Sequence, residues 1–317
     1  MPEIEIAVPT YNCACWIDDF FESVIAQDVG GWRIVARDDA SSDGTRERLA
    51  HWQSRLGDRM LLTADSGLRN LGMIGNYDAV LSATTAPWVM YGDPDDVWRP
   101  GKIALTLRAM RGAEATSGAA TPVVVATDAM IVDWQLQPVA ESSWRWSRMN
   151  PELAGVFHRM LVESPILTST MMVNRALLDL ALPLAGAASC PDWWTALVAC
   201  AFGLVVRLPE RTVLYRRHPS NDSLDPFAAT LSGALRRTVA DLGEPRRRVR
   251  RLLCQLAPQA QAFAVRFGDR LSSTDATAAE AAARLSTGGG FDRRWSVVQH
   301  GLWFASPVKN AGLILLM

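Results

Sequence analysis

The chain has 317 residues, of which 49% are apolar and 21% charged, and a formal net charge of -1 at pH 7. The near-neutral charge gives no general attraction to nucleic acid, so we expect no nucleic-acid partner. The five cysteines offer no second pair beyond Cys13 and Cys15, which argues against a disulfide framework or a zinc site and favours a reducing cytoplasm. We expect no signal peptide and no transmembrane helix, since no window reaches the roughly 18 apolar residues that span a bilayer.

Short apolar runs alternate with amphipathic stretches in the first third of the chain. This alternation predicts βα units and a mainly parallel sheet, because helices usually connect parallel strands. The predicted strands are Ile4–Val8, Trp32–Arg37, Met60–Thr63 and Trp88–Tyr91. The predicted helices between them are Trp16–Gln27 and Thr45–Leu56.

The second third of the chain has a less regular pattern. Lys102–Met110 predicts a helix, and the small residues from Gly112 to Thr121 predict a linker. The polar, Trp-rich stretch from Trp134 to Pro151 predicts a loop over the functional site. The other predicted elements are the strands Val123–Ala126, Leu167–Val173, Val205–Leu208 and Val213–Arg216, and the helix Trp193–Phe202.

The last third of the chain reads as helical. The predicted helices are Leu231–Leu242, Pro245–Leu256 and Thr277–Leu285. We therefore predict one α/β domain over residues 1–225, with one half at 1–111 and the other at 112–225. A helical extension follows at 226–317.

Three carboxylates stand within four residues directly after the predicted strand Trp88–Tyr91: Asp93, Asp95 and Asp96. Carboxylates this close repel one another unless a cation lies among them, and oxygen ligands suit Mg²⁺ or Mn²⁺. Asp and Pro are also common turn residues, so an ordinary turn explains the same stretch. The stretch alone leaves both interpretations open, and motifs elsewhere favour the cation site.

Four separated motifs occur in an order that resembles a known family. They are Val8-Pro-Thr-Tyr-Asn12, Arg37-Asp-Asp39, Asp93-Pro-Asp95-Asp96, and Pro191-Asp192-Trp-Trp194 followed by Tyr215-Arg-Arg-His218. In joint order and spacing they resemble the family 2 inverting glycosyltransferases of GT-A fold, and within these the rhamnosyltransferase-like branch of bacterial surface-polysaccharide synthesis. The resemblance covers about residues 3 to 222 and implies a GT-A-type α/β sheet flanked by helices. It makes residues 1–111 a Rossmann-like nucleotide-binding half and residues 112–225 an acceptor half.

The resemblance implies a nucleotide site at the carboxyl ends of the first strands, where ligands of open α/β sheets bind. Asp39 would accept the imide N–H of uracil or thymine, as the matching aspartate does in the family. The other residues expected at the nucleotide are Pro9, Thr10, Tyr11, Arg69, Asn76, Asp93 and Asp95. A strand-to-helix turn explains Thr10 and Tyr11 equally well, an ordinary solvated arginine explains Arg69, and a structural helix position explains Asn76.

By the same resemblance, Asp93, Asp95 and His218 would hold the divalent metal, Mg²⁺ or Mn²⁺, while Asp96 orients these groups. Such an ion neutralises the charge that develops on a departing nucleoside diphosphate. Asp192 is the candidate general base, because inverting transfer needs one carboxylate to take the acceptor proton. A helix N-cap also explains Asp192, and a helix N-terminus would favour its charged form and lower its basicity.

The resemblance implies metal-dependent inverting transfer of a sugar, rhamnose or another hexose, from a dTDP- or UDP-sugar to a saccharide or lipid-linked saccharide. The product would belong to O-antigen, capsule or exopolysaccharide. Two alternatives stay open: a nucleotide-sugar- or glycan-binding scaffold without transfer activity, and a nucleotidyltransferase, for which no Gly-rich basic loop follows the first strand.

The C-terminal region adds one further expectation. The basic run that starts at Pro245 and the apolar tail Trp303–Met317 indicate a cytoplasmic protein in peripheral contact with the inner membrane face. A helical cap on the sheet with a solvated charged face explains the same features.

Overall fold

The computed structural model describes residues 2–218 and 243–316. Within these residues the chain forms two compact units. The first comprises residues 2–143, 166–186 and 190–218, and the second comprises 144–165, 187–189 and 243–316. The predicted boundary at residue 225 and the predicted helix Leu231–Leu242 lie outside the described residues.

The described part of the first unit is built on one nine-stranded sheet. Its strands are β1 Ile4–Thr10, β2 Trp32–Asp38, β3 Met60–Leu62, β4 Trp88–Tyr91, β5 Val97–Trp98, β6 Val123–Val132, β7 Pro138–Ala140, β8 Met171–Asn174 and β9 Leu204–Arg216. The strand order is β3-β2-β1-β4-β8-β6-β9-β5, and β7 pairs with β6. The half formed by β3, β2, β1 and β4 is parallel, as predicted. In the other half β8 is antiparallel to both β4 and β6, whereas β6 and β9 are parallel.

Helices surround the sheet and make up most of the second unit. In chain order they are α1 Ile17–Ile25, α2 Thr45–Leu56, α3 Gly72–Ser82, α4 Lys102–Ser117, α5 Ser143–Trp146, α6 Phe157–Met160, α7 Arg175–Ala181, α8 Pro191–Phe202, α9 Gly243–Phe267, α10 Ser273–Ala283, α11 Gly290–Gln299 and α12 Pro307–Leu316. The α/β class is thus confirmed, and helices are present where the C-terminal extension was predicted.

The core of the first unit lies on both faces of β1, all seven residues of which are buried. A strand that helices cover on both sides has this continuous apolar pattern. Phe20 and Phe21 of α1 are fully buried, and the ring of Phe21 stacks on Trp52 of α2 with centroids 5.1 Å apart. This packing fixes the strand ends that carry the polar motifs.

The structure corrects two predictions about loops. Helix α4 continues to Ser117, through most of the predicted linker from Gly112 to Thr121, because its alanines and Glu114 are good helix formers. The predicted loop from Trp134 to Pro151 contains β7 and α5.

Two strand predictions were also wrong in detail. Residues Thr168–Thr170 form a 3₁₀ turn, so that β8 starts only at Met171. The separate strands predicted at Val205–Leu208 and Val213–Arg216 are one strand, β9. Its pairing register with β6 shifts around Asp128, which accommodates the polar residues in the middle of β9.

The second unit has its own apolar core. Helix α9 buries side chains at helical spacing on one face: Val249, Leu252, Leu253, Leu256 and Phe263. It packs against α10, whose buried residues are alanines and allow close approach. No helix in the part of the chain that the structure describes is long and apolar enough to cross a bilayer.

Candidate active site

The carboxyl ends of β1, β2 and β4 lie at one edge of the sheet, because the three strands are parallel. Thr10 is aligned with Asp38, and β4 ends immediately before Gly92 and Asp93. Gly92 leaves no room for a side chain, since a Cβ there would lie 2.7 Å from Phe20. The polar residues after each strand are therefore held side by side on a rigid platform.

A buried arginine organises the nucleotide side of this edge. Nη1 of Arg37 donates to Asp39 Oδ1 at 2.7 Å and to Asn76 Oδ1 at 2.9 Å. Its Nε donates to Asp65 at 2.9 Å, and its Nη2 to the carbonyl oxygen of Arg69 at 3.1 Å. The network ties the loop after β3 and helix α3 to the end of β2.

Asp39 and Asn76, both predicted at the nucleotide, have protein partners. Asp39 accepts hydrogen bonds from the backbone N–H groups of Leu71 (2.7 Å) and Gly72 (2.9 Å). Gly72 has φ +70°, a conformation that glycine adopts without strain as the chain enters α3. The Asn76 amide donates to the Thr10 carbonyl at 3.2 Å. Both side chains hold α3 to the sheet, and their contact with a nucleotide stays a prediction.

The remaining nucleotide-side candidates divide into buried and exposed residues. Pro9 is buried in β1, and the Thr10 hydroxyl donates to Asp38 Oδ1 at 3.2 Å. By contrast, Tyr11 is 54% exposed and Arg69 is exposed as well. These two side chains are accessible to a ligand.

The aspartate-rich stretch forms a tight turn, in which the Asp96 N–H donates to the Asp93 carbonyl oxygen at 3.1 Å. The hydroxyl of Tyr77 donates to the Asp93 carboxylate. Burial, together with the nearby charge of Asp95, raises the pKa of Asp93 to about 8. The turn thus concentrates like charges at the end of β4.

Asp95 and His218 are in direct contact, with Nε2 of the imidazole 3.1 Å from a carboxylate oxygen. The imidazole stacks on the ring of Trp16, with centroids 5.1 Å apart and an interplanar angle of 20°. The guanidinium of Arg216 lies 4.6 Å from the same indole. This packing fixes the plane of the imidazole, so that its nitrogen stays directed at Asp95.

Asp96 is 1% exposed and joins distant segments of the chain. It accepts a hydrogen bond from the backbone N–H of Arg216 at 2.9 Å, two residues before His218, and another from the hydroxyl of Ser169. Burial and the charges of the two neighbouring aspartates raise its pKa well above the ordinary value. Its hydrogen bonds make it a positioning residue.

Asp192, the candidate base, lies in the first turn of α8 and is 6% exposed. It accepts from the backbone N–H of Trp193 at 2.7 Å and lies beside the side chains of Cys190 and Thr168. The N–H groups of the helix start lower the pKa of Asp192, as expected, but burial raises it by more, so the net shift is upward. Lost solvation outweighs the helix dipole here, and a higher pKa makes a stronger base.

The turn Thr168–Thr170 connects the aspartates of β4 with the candidate base. The hydroxyl of Ser169 donates to Asp96, its backbone N–H faces the Asp93 carboxylate, and the first residue of the turn, Thr168, lies beside the Asp192 carboxylate. A proposed metal ligand, Asp93, and the proposed base, Asp192, therefore lie against one turn, called here the shared frame.

Two residues of the site, Arg37 and Ser169, were not predicted from the sequence. An arginine directly before two aspartates is a signal for ion pairing that was available in the sequence. Ser169 stands in a run of hydroxyl residues next to apolar ones, and the strand propensity of threonine concealed the turn.

Among the described residues, no group of three or more His, Cys, Asp and Glu side chains has the spacing to hold a metal ion. The donor chemistry nevertheless fits one: Asp93 and Asp95 offer carboxylate oxygens and His218 an imidazole nitrogen, which Mg²⁺ and Mn²⁺ accept. The raised pKa of Asp93 agrees with this fit, because a bound cation would relieve the repulsion that contributes to it.

The sheet and the acidic residues at its strand ends define an enzyme of the GT-A glycosyltransferase class. Residues 5–178, more than half of the chain, match the family described as Glycosyl transferase family 2, and the chain belongs to this family. The predicted family and enzyme class are thereby confirmed, while the rhamnosyltransferase-like branch stays a prediction.

Two curated relatives illustrate the sequence similarity. An uncharacterized glycosyltransferase from Nostoc sp. is 24% identical over 237 residues, which cover 72% of this chain and 69% of that protein. The putative teichuronic acid biosynthesis glycosyltransferase TuaG from Bacillus subtilis is 28% identical over 109 residues, which cover 34% of this chain and 42% of that protein. The second match is therefore local.

Two solved structures share the fold. TarS from S. aureus in complex with UDP-GlcNAc has a TM-score of 0.53 at 13% identity, covering 100% of this chain and 90% of that one. The mannosyltransferase PcManGT from Pyrobaculum calidifontis, in complex with GDP-Man and Mn²⁺, has a TM-score of 0.53 at 18% identity, covering 99% and 86%. At these identities the likeness establishes the GT-A fold alone.

Proposed function

We propose that the protein transfers a sugar, with inversion and with Mg²⁺ or Mn²⁺, from a dTDP- or UDP-sugar to a saccharide or lipid-linked saccharide. The observation that carries this proposal is the shared frame in which Ser169 contacts Asp93 and the adjacent threonine contacts Asp192. This arrangement supports a cation at Asp93 and a base of raised pKa at Asp192, on either side of the same turn. The nucleotide-sugar complexes of the two structural neighbours support the donor class.

In the proposed reaction Asp93, Asp95 and His218 would hold the cation, which would neutralise the charge on the departing nucleoside diphosphate. Asp192 accepts the proton of the acceptor hydroxyl while the acceptor oxygen forms a bond to the anomeric carbon. The bond from that carbon to the diphosphate oxygen breaks in the same displacement. Attack opposite to the leaving group inverts the anomeric configuration.

On the nucleotide side, we assign the exposed residues to direct contact. The ring of Tyr11 stacks on the pyrimidine, and Arg69 pairs with a phosphate. Asp39 keeps acceptor capacity for the imide N–H, because a carboxylate offers about four lone-pair sites and the three donors Arg37, Leu71 and Gly72 use fewer.

The proposed product is a bacterial surface polysaccharide of the O-antigen, capsule or exopolysaccharide kind, with rhamnose or another hexose as the transferred sugar. The similarity to a teichuronic acid biosynthesis glycosyltransferase supports this class of product. We propose that the reaction takes place in the cytoplasm, at the inner face of the membrane.

The test is calorimetry with UDP and dTDP, with Mn²⁺ and with a chelator, followed by a transfer assay with a panel of nucleotide sugars. We expect nucleotide affinity to be about tenfold or more higher with Mn²⁺, and Asp95→Ala to abolish that difference only. Asp58→Ala, a change at an exposed aspartate after α2, is the matched control and should behave like the parent protein.

Two results would contradict the proposal. If nucleotide affinity is the same with Mn²⁺ and with chelator, the metal has no part in nucleotide binding and that part of the proposal is wrong. Nucleotide binding with neither donor hydrolysis nor transfer to any glycan would favour the sugar-nucleotide-binding scaffold instead.

A further inference from the structure

Helix α11 in the second unit presents an exposed apolar face. Phe291, Trp295 and Val298 follow one another at four- and three-residue spacing and are 77%, 59% and 54% exposed. These three side chains, called here the α11 apolar face, lie within a narrow arc of the helix. Val297 is fully buried and anchors α11 to its own unit. Exposed aromatic side chains that cluster in this way mark an interaction surface.

Helix α12 lies beside this face. Nε of Arg294 donates to the carbonyl oxygen of Ile314 near the end of α12, at 2.8 Å. The one charged residue of α12, Lys309, is 5% exposed and donates to Glu163 at 2.6 Å. The charge of α12 is thus directed into the second unit, and an apolar helix end adjoins the α11 apolar face.

The net positive charge of residues 243–316 indicates an anionic partner for the α11 apolar face. Residues 243–316 contain eleven Lys and Arg against five Asp and Glu, although the whole chain has a net charge of only -1. Arg247, Arg250 and Arg251 of α9 are exposed, and so is Arg294. Exposed aromatic side chains on a short helix within a basic unit are the features of helices that lie in the interface of anionic bilayers.

We propose that the α11 apolar face docks on an anionic lipid bilayer, with Phe291 and Trp295 at the boundary of headgroups and acyl chains and Arg294 at the lipid phosphates. With only ten residues, α11 lies in the plane of the interface and does not cross it. The inference goes beyond sugar transfer, because it assigns the membrane contact to α11.

The test is sedimentation of the full chain with vesicles of phosphatidylcholine alone and of phosphatidylcholine mixed with phosphatidylglycerol. We expect binding to the mixed vesicles, weakened by salt, and at least about a tenfold loss of partitioning in the double variant Phe291→Ser, Trp295→Ser. Gln299→Ser, at an exposed polar position of the same helix, should bind like the parent protein. Unchanged thermal unfolding of the double variant shows that it is folded.

Vesicle binding of the double variant at the level of the parent protein would overturn the proposal. Failure of the parent protein to bind anionic vesicles would overturn it as well. A double variant that loses self-association in light scattering but keeps vesicle binding would instead make this face a contact between two copies. Vesicle binding is measured without sugar nucleotide, so its failure is distinct from a failure of the transfer assay.

Discussion

Two strand ends of the same sheet carry aspartates, and they differ in what balances the negative charge. After β2, Asp39 shares the guanidinium of Arg37 with Asp65 from the loop after β3, and the Arg37 side chain is 1% exposed. After β4, Asp93 stands in one turn with Asp95, and burial together with that charge raises the pKa of Asp93 to about 8. The first cluster is neutralised in part by an arginine of the protein, and the second suits a cation from outside.

The role of an aspartate at a strand end therefore depends on the charges of the groups next to it. A neutralised cluster holds loops in place, so its loss should cost stability. A cluster of like charges is unfavourable for the isolated protein and useful for a ligand, so its loss should cost function and leave stability intact or improved.

The largest effect is expected from Asp192→Asn, at the carboxylate whose charge adds to the like charges around Asp93. An amide cannot take a proton, so transfer should fall by about 10³-fold while nucleotide affinity and the unfolding temperature change little. Steady-state kinetics and calorimetry on one preparation check this. Asp179→Asn, at an exposed carboxylate of α7, should stay fully active. A fully active Asp192→Asn would mean that another group is the base.

The neutralised side is tested by Arg37→Met. This change leaves the buried Asp39 carboxylate without its cation, and the free energy of unfolding should fall by about 3–5 kcal/mol. The control is Arg48→Met, which breaks an exposed pair with Asp18 and should cost less than about 1 kcal/mol. Urea unfolding of both variants gives the comparison. If the two variants have the same free energy of unfolding, the Arg37 network does not contribute to stability.

The parts of this molecule that sequence could predict are local. Apolar runs followed by polar motifs located β1, β2 and β4, and the alternation of strands with helices gave the parallel half of the sheet. The candidates Asp93, Asp95, Asp192 and His218 came from motifs within a few residues of a strand or helix end.

The parts that sequence did not predict depend on contacts between distant residues. Asp96 bonds to Ser169, 73 residues away, and to Arg216, 120 residues away. Likewise, the antiparallel position of β8 follows from its pairing with β4 and β6, which no local pattern specifies. The raised pKa of Asp192 comes from burial, and the sequence showed only the helix start.

A smaller effect is expected from Asp96→Asn. This change tests whether the hydrogen bonds of Asp96 to Ser169 and Arg216 keep the site residues in position. The amide keeps an oxygen for the Arg216 N–H, but its NH₂ faces Ser169, whose hydroxyl must then accept where it donated, so the bond that holds the turn is reversed and weakened. We expect transfer to fall by about 10- to 100-fold and the Mn²⁺ concentration for half-maximal rate to rise. Ser169→Ala should change both quantities in the same direction by less. A change confined to the unfolding temperature would contradict a positioning role.

The smallest effect is the pH dependence of cation affinity. With a pKa of about 8, Asp93 holds a proton near neutral pH that it must release before it binds a cation. Mn²⁺ affinity should therefore rise up to about tenfold per pH unit until about pH 8, then level off.

Asp93→Asn tests the same titration through stability. Between pH 3.8, the ordinary pKa of an aspartate, and about pH 8, Asp93 is ionised in the unfolded state but still protonated in the folded state. The free energy of unfolding therefore falls as pH rises through this range. In the absence of metal, Asp93→Asn should remove that loss and raise the unfolding temperature at about pH 8 by a few degrees. Mn²⁺ affinity that does not vary with pH in the parent protein, together with an unchanged unfolding temperature in Asp93→Asn, would show that Asp93 is already ionised. The contrast between the two strand ends would then rest on geometry alone.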